Sequence, residues 1–160
     1  MVVDSLDLSL FSAPIAVSNL YRSRCREVPT GHGVYVVRRV SLAAPVFLKT
    51  SAAGWFKGID PSYPLADVER NWVPHASVVY IGKAGGGRGL RQRLMQLIDF
   101  AYGKPIGHRG GRMLWHLSDW ADLHIQWGTC PSGHADELET ALINQFRQAL
   151  GVRPFANMAK

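Results

Sequence analysis

The sequence predicts an α/β (α+β) domain: a short central antiparallel sheet flanked by helices. Three observations lead there. Two β-branched and aromatic runs, residues 34–37 and 77–81, are each bounded by glycine, as short strands are. Two longer segments, residues 90–101 and 135–150, repeat apolar residues at helical spacing. The order of these elements lacks the regular strand–helix alternation that a parallel sheet needs. At 160 residues the chain is the size of one domain, 1–160, that buries roughly two thirds of its unfolded surface.

Each element follows from its residues. Residues 1–30 form an amphipathic N-terminal extension, after which Gly31 and Gly33 open the strand Val34, Tyr35, Val36, Val37. Residues 40–76 read as an insertion. Its later part places Trp55, Phe56, Tyr63 and Trp72 among Pro61, Pro64 and Pro74, a long loop partly packed by its own aromatics. The second strand ends in Tyr80, Ile81 and Gly82, and a glycine-rich turn, residues 84–89, leads into a helix. In that helix Leu90, Leu94, Leu97, Ile98 and Ala101 make one apolar stripe, with Arg91 and Arg93 on its two flanks. A short helix at 113–117, a strand at 123–127 and a strongly periodic helix at 135–150 follow, and the tail around Pro154 and Asn157 is non-helical.

Composition narrows the class. With 47% hydrophobic and 19% charged residues the chain is globular rather than disordered. Cys25 and Cys130 lie far apart and make no CxxC pair, so neither a disulfide framework nor a cysteine zinc site is encoded, and a reducing cytoplasm is the expected location. Asp4 and Asp7 replace a basic leader region, and the longest apolar run, around Val40 to Leu48, is broken by Ser41 and Pro45; neither secretion nor membrane spanning is expected. The net charge of +6 is local. Lys83, Arg88, Arg91, Arg93, Lys104, Arg109 and Arg112 face a single acid, Asp99, between Tyr80 and Trp115, and the rest of the chain is balanced. Such a one-sign segment suits a polyanion, because clustered cations displace counterions from a phosphate backbone; the plainer alternative is a solvated helix face.

Several residues are candidates for chemistry, each with a structural alternative. The glycine-rich turn can cradle a phosphate on backbone N–H groups, or can merely permit a tight strand-to-helix connection; the P-loop pattern is absent, since Ala84 follows Lys83. Glu139 shares its helix face with Ile143, Phe146 and Leu150, a costly place for a carboxylate without a partner or a metal. Asp136 three residues earlier offers the alternative of a capping box, with Glu139 as its third residue. Tyr35 and Tyr80 lie in strands, where a tyrosine ordinarily packs half-buried. His108, between Gly107 and Arg109, reads as a phosphate contact or a surface residue.

Taken in chain order, these residues resemble the GIY-YIG nuclease family, and most closely its module in bacterial excision repair. Gly33, Val34 and Tyr35 are similar to the first motif, and Tyr80, Ile81 and Gly82 to the second. Lys83 and the run Leu90 to Leu94 resemble the start of the family's first helix, with Arg93 at the position of its catalytic arginine. Glu139 to Ile143 resembles the helix of its metal-binding glutamate, and Pro154 to Asn157 its closing asparagine motif. The likeness spans about residues 31–157. Two departures stand out: Tyr35 and Tyr80 are forty-five residues apart where the family uses a close hairpin, and the glycine turn is longer, which leaves Arg91 a rival to Arg93.

The resemblance implies a hydrolase acting on phosphodiester bonds, an endonuclease with DNA as its expected substrate. One Mg²⁺ or Mn²⁺ per site would be held by Glu139 and mostly by waters. Arg93 would bind the scissile phosphate, Tyr35 or Tyr80 with help from Lys83 would orient or deprotonate the water, and Asn157 would position the site. A phenol serves as a base at neutral pH only if a nearby cation lowers its pKa from about 10. Arg88, Arg91, His108, Arg109 and Arg112 are the expected nucleic-acid contacts. The alternative is a module of the same fold that binds nucleic acid without cleaving it.

Overall fold

A computed structural model describes residues 6–108 and 110–158. Its centre is a four-stranded, wholly antiparallel sheet. The strands are β1 (Ile15–Ala16), β2 (Gly33–Arg38), β3 (Val78–Ala84) and β4 (His124–Thr129), in the order β1-β4-β2-β3. The helices are α1 (Val17–Ser23), α2 (Leu65–Asn71), α3 (Leu90–Ala101) and α4 (Ala135–Leu150), with short 3₁₀ turns at Arg112–His116 and Trp120–Asp122. This is the α+β architecture expected from the sequence. The short helix expected at 113–117 is the first of the 3₁₀ turns.

Alternation along the strands divides the core between the two faces. Val34 and Val36 of β2, with Val78 and Ile81 of β3, pack against Leu142 and Phe146 of α4. The other face carries Tyr35, Val37 and Tyr80, joined by Val79 at the register shift opposite Val37 and Arg38, into the larger core with α1 and α3, where Leu90, Leu94, Leu97, Ile98 and Trp115 are fully or almost fully buried. The stripe read from α3 is therefore its buried face.

Both the N-terminal extension and the 40–76 insertion are built into the body. The N-terminal segment is no appendage: Ile15 and Ala16 pair with β4, and Val17, Leu20, Cys25 and Val28 are core residues with almost no exposure. The 40–76 segment is more than loop, since it contains α2 and is pinned to the body by His116. That buried ring accepts the Tyr63 N–H on Nε2 at 3.0 Å and donates from Nδ1 to the Leu48 carbonyl at 2.8 Å. Among the described residues no helix is long and apolar enough to cross a membrane.

Candidate active site

Four elements bring together residues that are distant in sequence. The β2–β3 register sets Tyr35 opposite Gly82 and Val37 opposite Tyr80, so the two phenols project from one face of the sheet with ring centroids 6.0 Å apart. Gly82 makes this possible. A Cβ there would fall 2.4 Å from Tyr35 Cζ and 2.5 Å from its Oη, so the phenol lies where any other side chain would begin. Tyr80 is seated in the same way on the backbone of residue 110, where a Cβ would fall 2.3 Å from Tyr80 Oη.

Arg93 of α3 and Glu139 of α4 complete the group, from opposite sides of the sheet's end. Their charges both act on both phenols: Arg93 favours ionisation and Glu139 opposes it. Burial outweighs the cation. It holds Tyr35 well above the usual phenol value, with Tyr80 adding to the effect, and pushes Tyr80 up to about 12, with Glu139 adding to the effect there. Neither phenol has the lowered pKa that a tyrosine base requires, and Lys83, the cation expected to lower it, lies on the other sheet face. There Lys83 shares its face with Ile81, and its Nζ bonds to Asp136 Oδ1 and lies 3.9 Å from Glu139 Oε1. Both tyrosines are neutral hydroxyls, and the buried Tyr35 hydroxyl is directed at that of Tyr80, donating toward it.

A cleft of about 360 Å³ is lined by Lys83, Arg88, Arg93 and Asp136 together with Gly85, Gly86 and Ala135, so that of the four grouped residues Arg93 is the one on its wall. Its wall is basic. Arg88 also reaches Gln96 on α3 at 3.0 Å. The start of α4 adds the positive end of the helix dipole, partly offset by Asp136 and Glu137 in its first turn.

The two arginines differ in what each touches, Arg93 lining the cleft and Arg91 facing away from it. Arg91 turns back under the N-terminal segment, its Nε donating to the Val28 carbonyl at 2.8 Å and a terminal nitrogen to the Arg26 carbonyl at 3.2 Å. It is a clamp on the fold and not a cleft residue. Glu139 is no capping-box partner either: α4 begins at Ala135 with His134 as its N-cap, so Asp136 lies inside the helix and its carboxylate meets Lys83. The carboxylate of Glu139 is 21% exposed beside the cleft, half-buried where the sequence pattern implied a buried stripe.

Three other expected residues hold the scaffold. Asn157 lies at the outer edge of β3, its amide donating to the Ile81 carbonyl and accepting the Ile81 N–H, both at 2.8 Å. It extends the sheet edge and fixes the strand between Tyr80 and Gly82, so it positions the site without lining the cleft. His108 is fully buried, against the expectation of a surface phosphate contact: its Nδ1 donates to the Gly110 carbonyl at 2.9 Å, and burial with the Arg93 charge pushes its pKa down to about 3. Arg112 is half-buried with its Nε on the His108 carbonyl and its guanidinium over Phe100, so it braces this turn. Arg109 lies outside the described residues.

One feature escaped sequence reasoning altogether. Asp99, the lone acid of the basic segment, is gripped by both terminal nitrogens of Arg24 at 2.6 and 2.9 Å and approached by Lys104 at 3.4 Å. Its partner lies 75 residues away, and no local pattern announces it.

No known protein-family model, curated protein or solved structure matches this chain.

Proposed function

We propose that the protein is a metal-dependent endonuclease hydrolysing phosphodiester bonds in nucleic acid, with DNA as the expected substrate. The observation that carries this reading is the convergence of Tyr35, Tyr80, Arg93 and Glu139, from four separate elements, with Arg93 lining a cleft that also holds Lys83 and Arg88. Arginine, carboxylate and fixed hydroxyls are the donor and acceptor types that phosphoryl transfer requires.

The donor set fits a hydrated hard cation. Glu139 offers one carboxylate beside the cleft, and among the described residues no group of three or more His, Cys, Asp or Glu gathers. Mg²⁺ keeps several waters and takes one or two carboxylates, whereas a structural zinc site asks for a cage of side chains. When bound, such an ion supplies charge neutralisation on the phosphoryl oxygens and a water of lowered pKa.

The chain's own residues do the rest. Arg93 presents a rigid fork of donors to the phosphate oxygens entering the cleft. Tyr80, kept protonated by burial, donates a hydrogen bond that orients the attacking water or a phosphate oxygen, Tyr35 behind it is fully buried and steadies the Tyr80 hydroxyl, and the proton lost by that water leaves to solvent. Lys83 holds the start of α4, and with it Glu139, against β3 through the Asp136 pair. Asn157 keeps the strand between the phenol seats straight by occupying both backbone groups of Ile81.

Purified protein incubated with supercoiled, branched and single-stranded DNA, in Mg²⁺ or Mn²⁺ and then in chelator, tests this reading. Metal-dependent cleavage that Arg93→Ala removes is the expected result. Salt-sensitive binding with no cleavage under any condition would instead favour the binding-only module.

A further inference from the structure

We infer that the hairpin tip around Trp55, Lys57 and Ile59 is a second nucleic-acid contact, which stacks on unpaired bases and directs the cleft toward substrates with single-stranded character. This rests on the nuclease reading above and extends it to substrate class.

The tip is built to present an aromatic face. Phe56 and Ile59 bond to each other across a two-residue turn, N–H to carbonyl in both directions at 3.4 and 3.0 Å, and Lys57 and Gly58 both take positive φ, 52° and 75°. Positive φ at both central residues is the tight hairpin turn whose twist matches its strands, so the apex is short and stiff. It leaves Trp55 57% exposed and Ile59 50% exposed, while Lys57 holds its Nζ 5.3 Å from the centre of the Phe56 ring. An isolated surface hydrophobe is ordinary, but an indole, an isoleucine and an ammonium at one rigid apex form a defined surface.

Its mounting ties the tip to the cleft. At the hairpin root, the N–H of residue 54 donates to the Phe100 carbonyl at 3.0 Å, and its Cα lies so close to Lys104 that a Cβ would fall 2.3 Å from that residue's carbonyl oxygen. The Phe56 ring covers residue 107, where a Cβ would fall 2.8 Å from Cε1. Three residues further on, the backbone of residue 110 seats Tyr80 Oη. The hairpin and Tyr80 thus rest on one stretch of backbone, the hairpin at residues 103, 104 and 107 and Tyr80 at residue 110.

Charge chooses the occupant. The segment from Tyr80 to Trp115 on which the hairpin rests carries the chain's excess of positive charge. Asp60, beside the tip, turns its carboxylate onto the Ser62 N–H at 2.9 Å. A polyanion with exposed ring faces fits an indole beside an ammonium on a basic support, because bases of any sequence stack on aromatic side chains while the backbone follows the cations. A continuous duplex offers no such face.

The test is fluorescence anisotropy with three labelled DNAs, a single strand, a duplex and a duplex with a single-stranded flap, measured without metal so that nothing is cut. Wild type, Trp55→Ala and Trp55→Phe are compared as full chains with their melting midpoints. The expected result is that Trp55→Ala weakens single-strand and flap binding by roughly 5- to 100-fold, that Trp55→Phe restores most of it, and that duplex affinity changes less than twofold. Unchanged affinities for all three DNAs, or equal losses on all three, overturn the inference; the former would make the tip a protein-docking surface. If the wild type binds none of them, the nuclease reading itself falls, which the Trp55 variants alone cannot produce.

Discussion

Arg91 and Arg93 stand two residues apart on one helix, and their surroundings give them opposite work. Arg93 lines the cleft and acts on both phenols, so Arg93→Ala is expected to remove cleavage while leaving the melting midpoint within a degree or two of wild type. Arg91 holds two backbone carbonyls of the N-terminal segment, so Arg91→Ala should lower stability by about 1–2 kcal/mol and spare the turnover of folded protein. Thermal melts and plasmid nicking on the two variants check this together. Asp99 supplies a prediction in pH. Its carboxyl is held below the ordinary 3.8, first by the hydrogen bonds from Arg24. A depressed acid contributes stability that is fully present above its unfolded pKa and is lost as pH falls through its folded one, so the loss lies below about pH 4. Melting midpoints of wild type and Asp99→Asn should therefore differ most above pH 5 and converge toward pH 3. A gap that stays constant to pH 3 would show that the Arg24 pair contributes nothing.

At the scale of elements, β3 carries the largest burden, since it bears Tyr80, the seat for Tyr35 and Lys83, and would be an open sheet edge without the tail. Asn157 closes that edge through both backbone groups of Ile81. Asn157→Ala should cost about 1–3 kcal/mol, and the cleavage rate of the fraction that remains folded should fall as well, because the strand that bears Tyr80 and seats Tyr35 loosens. An unchanged melting midpoint would contradict the edge role. Helix α4, helix α3 and its apolar stripe, and strands β2 and β3 were all legible in sequence, because periodicity and flanking glycines are local signals. What was illegible depends on partners far along the chain. The stripe on α3 treats Arg91 and Arg93 alike, and only the carbonyls of residues 26 and 28 separate them. His108 looked exposed among glycines and arginines, yet Phe100 and the Gly110 carbonyl enclose it. Asp136 and Glu139 carry a capping-box spacing, and the true helix start one residue before Asp136 removes it. Helix α1 gave too short a pattern to show that it belongs to the core.

Across the whole molecule the two faces of the sheet divide the work. The α4 face holds the Lys83, Asp136 and Glu139 charges, the α3 face holds the phenols, and the cleft opens where the two meet. Positive charge gathers there. If Arg88 touches a phosphate of a duplex, Arg88→Gln should reduce the slope of log affinity against log salt by about 0.9, equally for all sequences. Arg112→Gln, whose parent side chain braces the 108–112 turn, should instead lower the melting midpoint with a smaller change in slope. The nicking of supercoiled plasmid by wild type and by Glu139→Ala, in Mg²⁺ and in chelator, with the melting midpoint and DNA affinity of each protein recorded alongside, bears on the cleft as a whole. Wild type should nick only with the metal, and Glu139→Ala should lose nicking while keeping its fold and its DNA affinity. A Glu139→Ala protein that is stable and fully active would contradict the assignment of that carboxylate and, with it, the metal-dependent chemistry of the cleft.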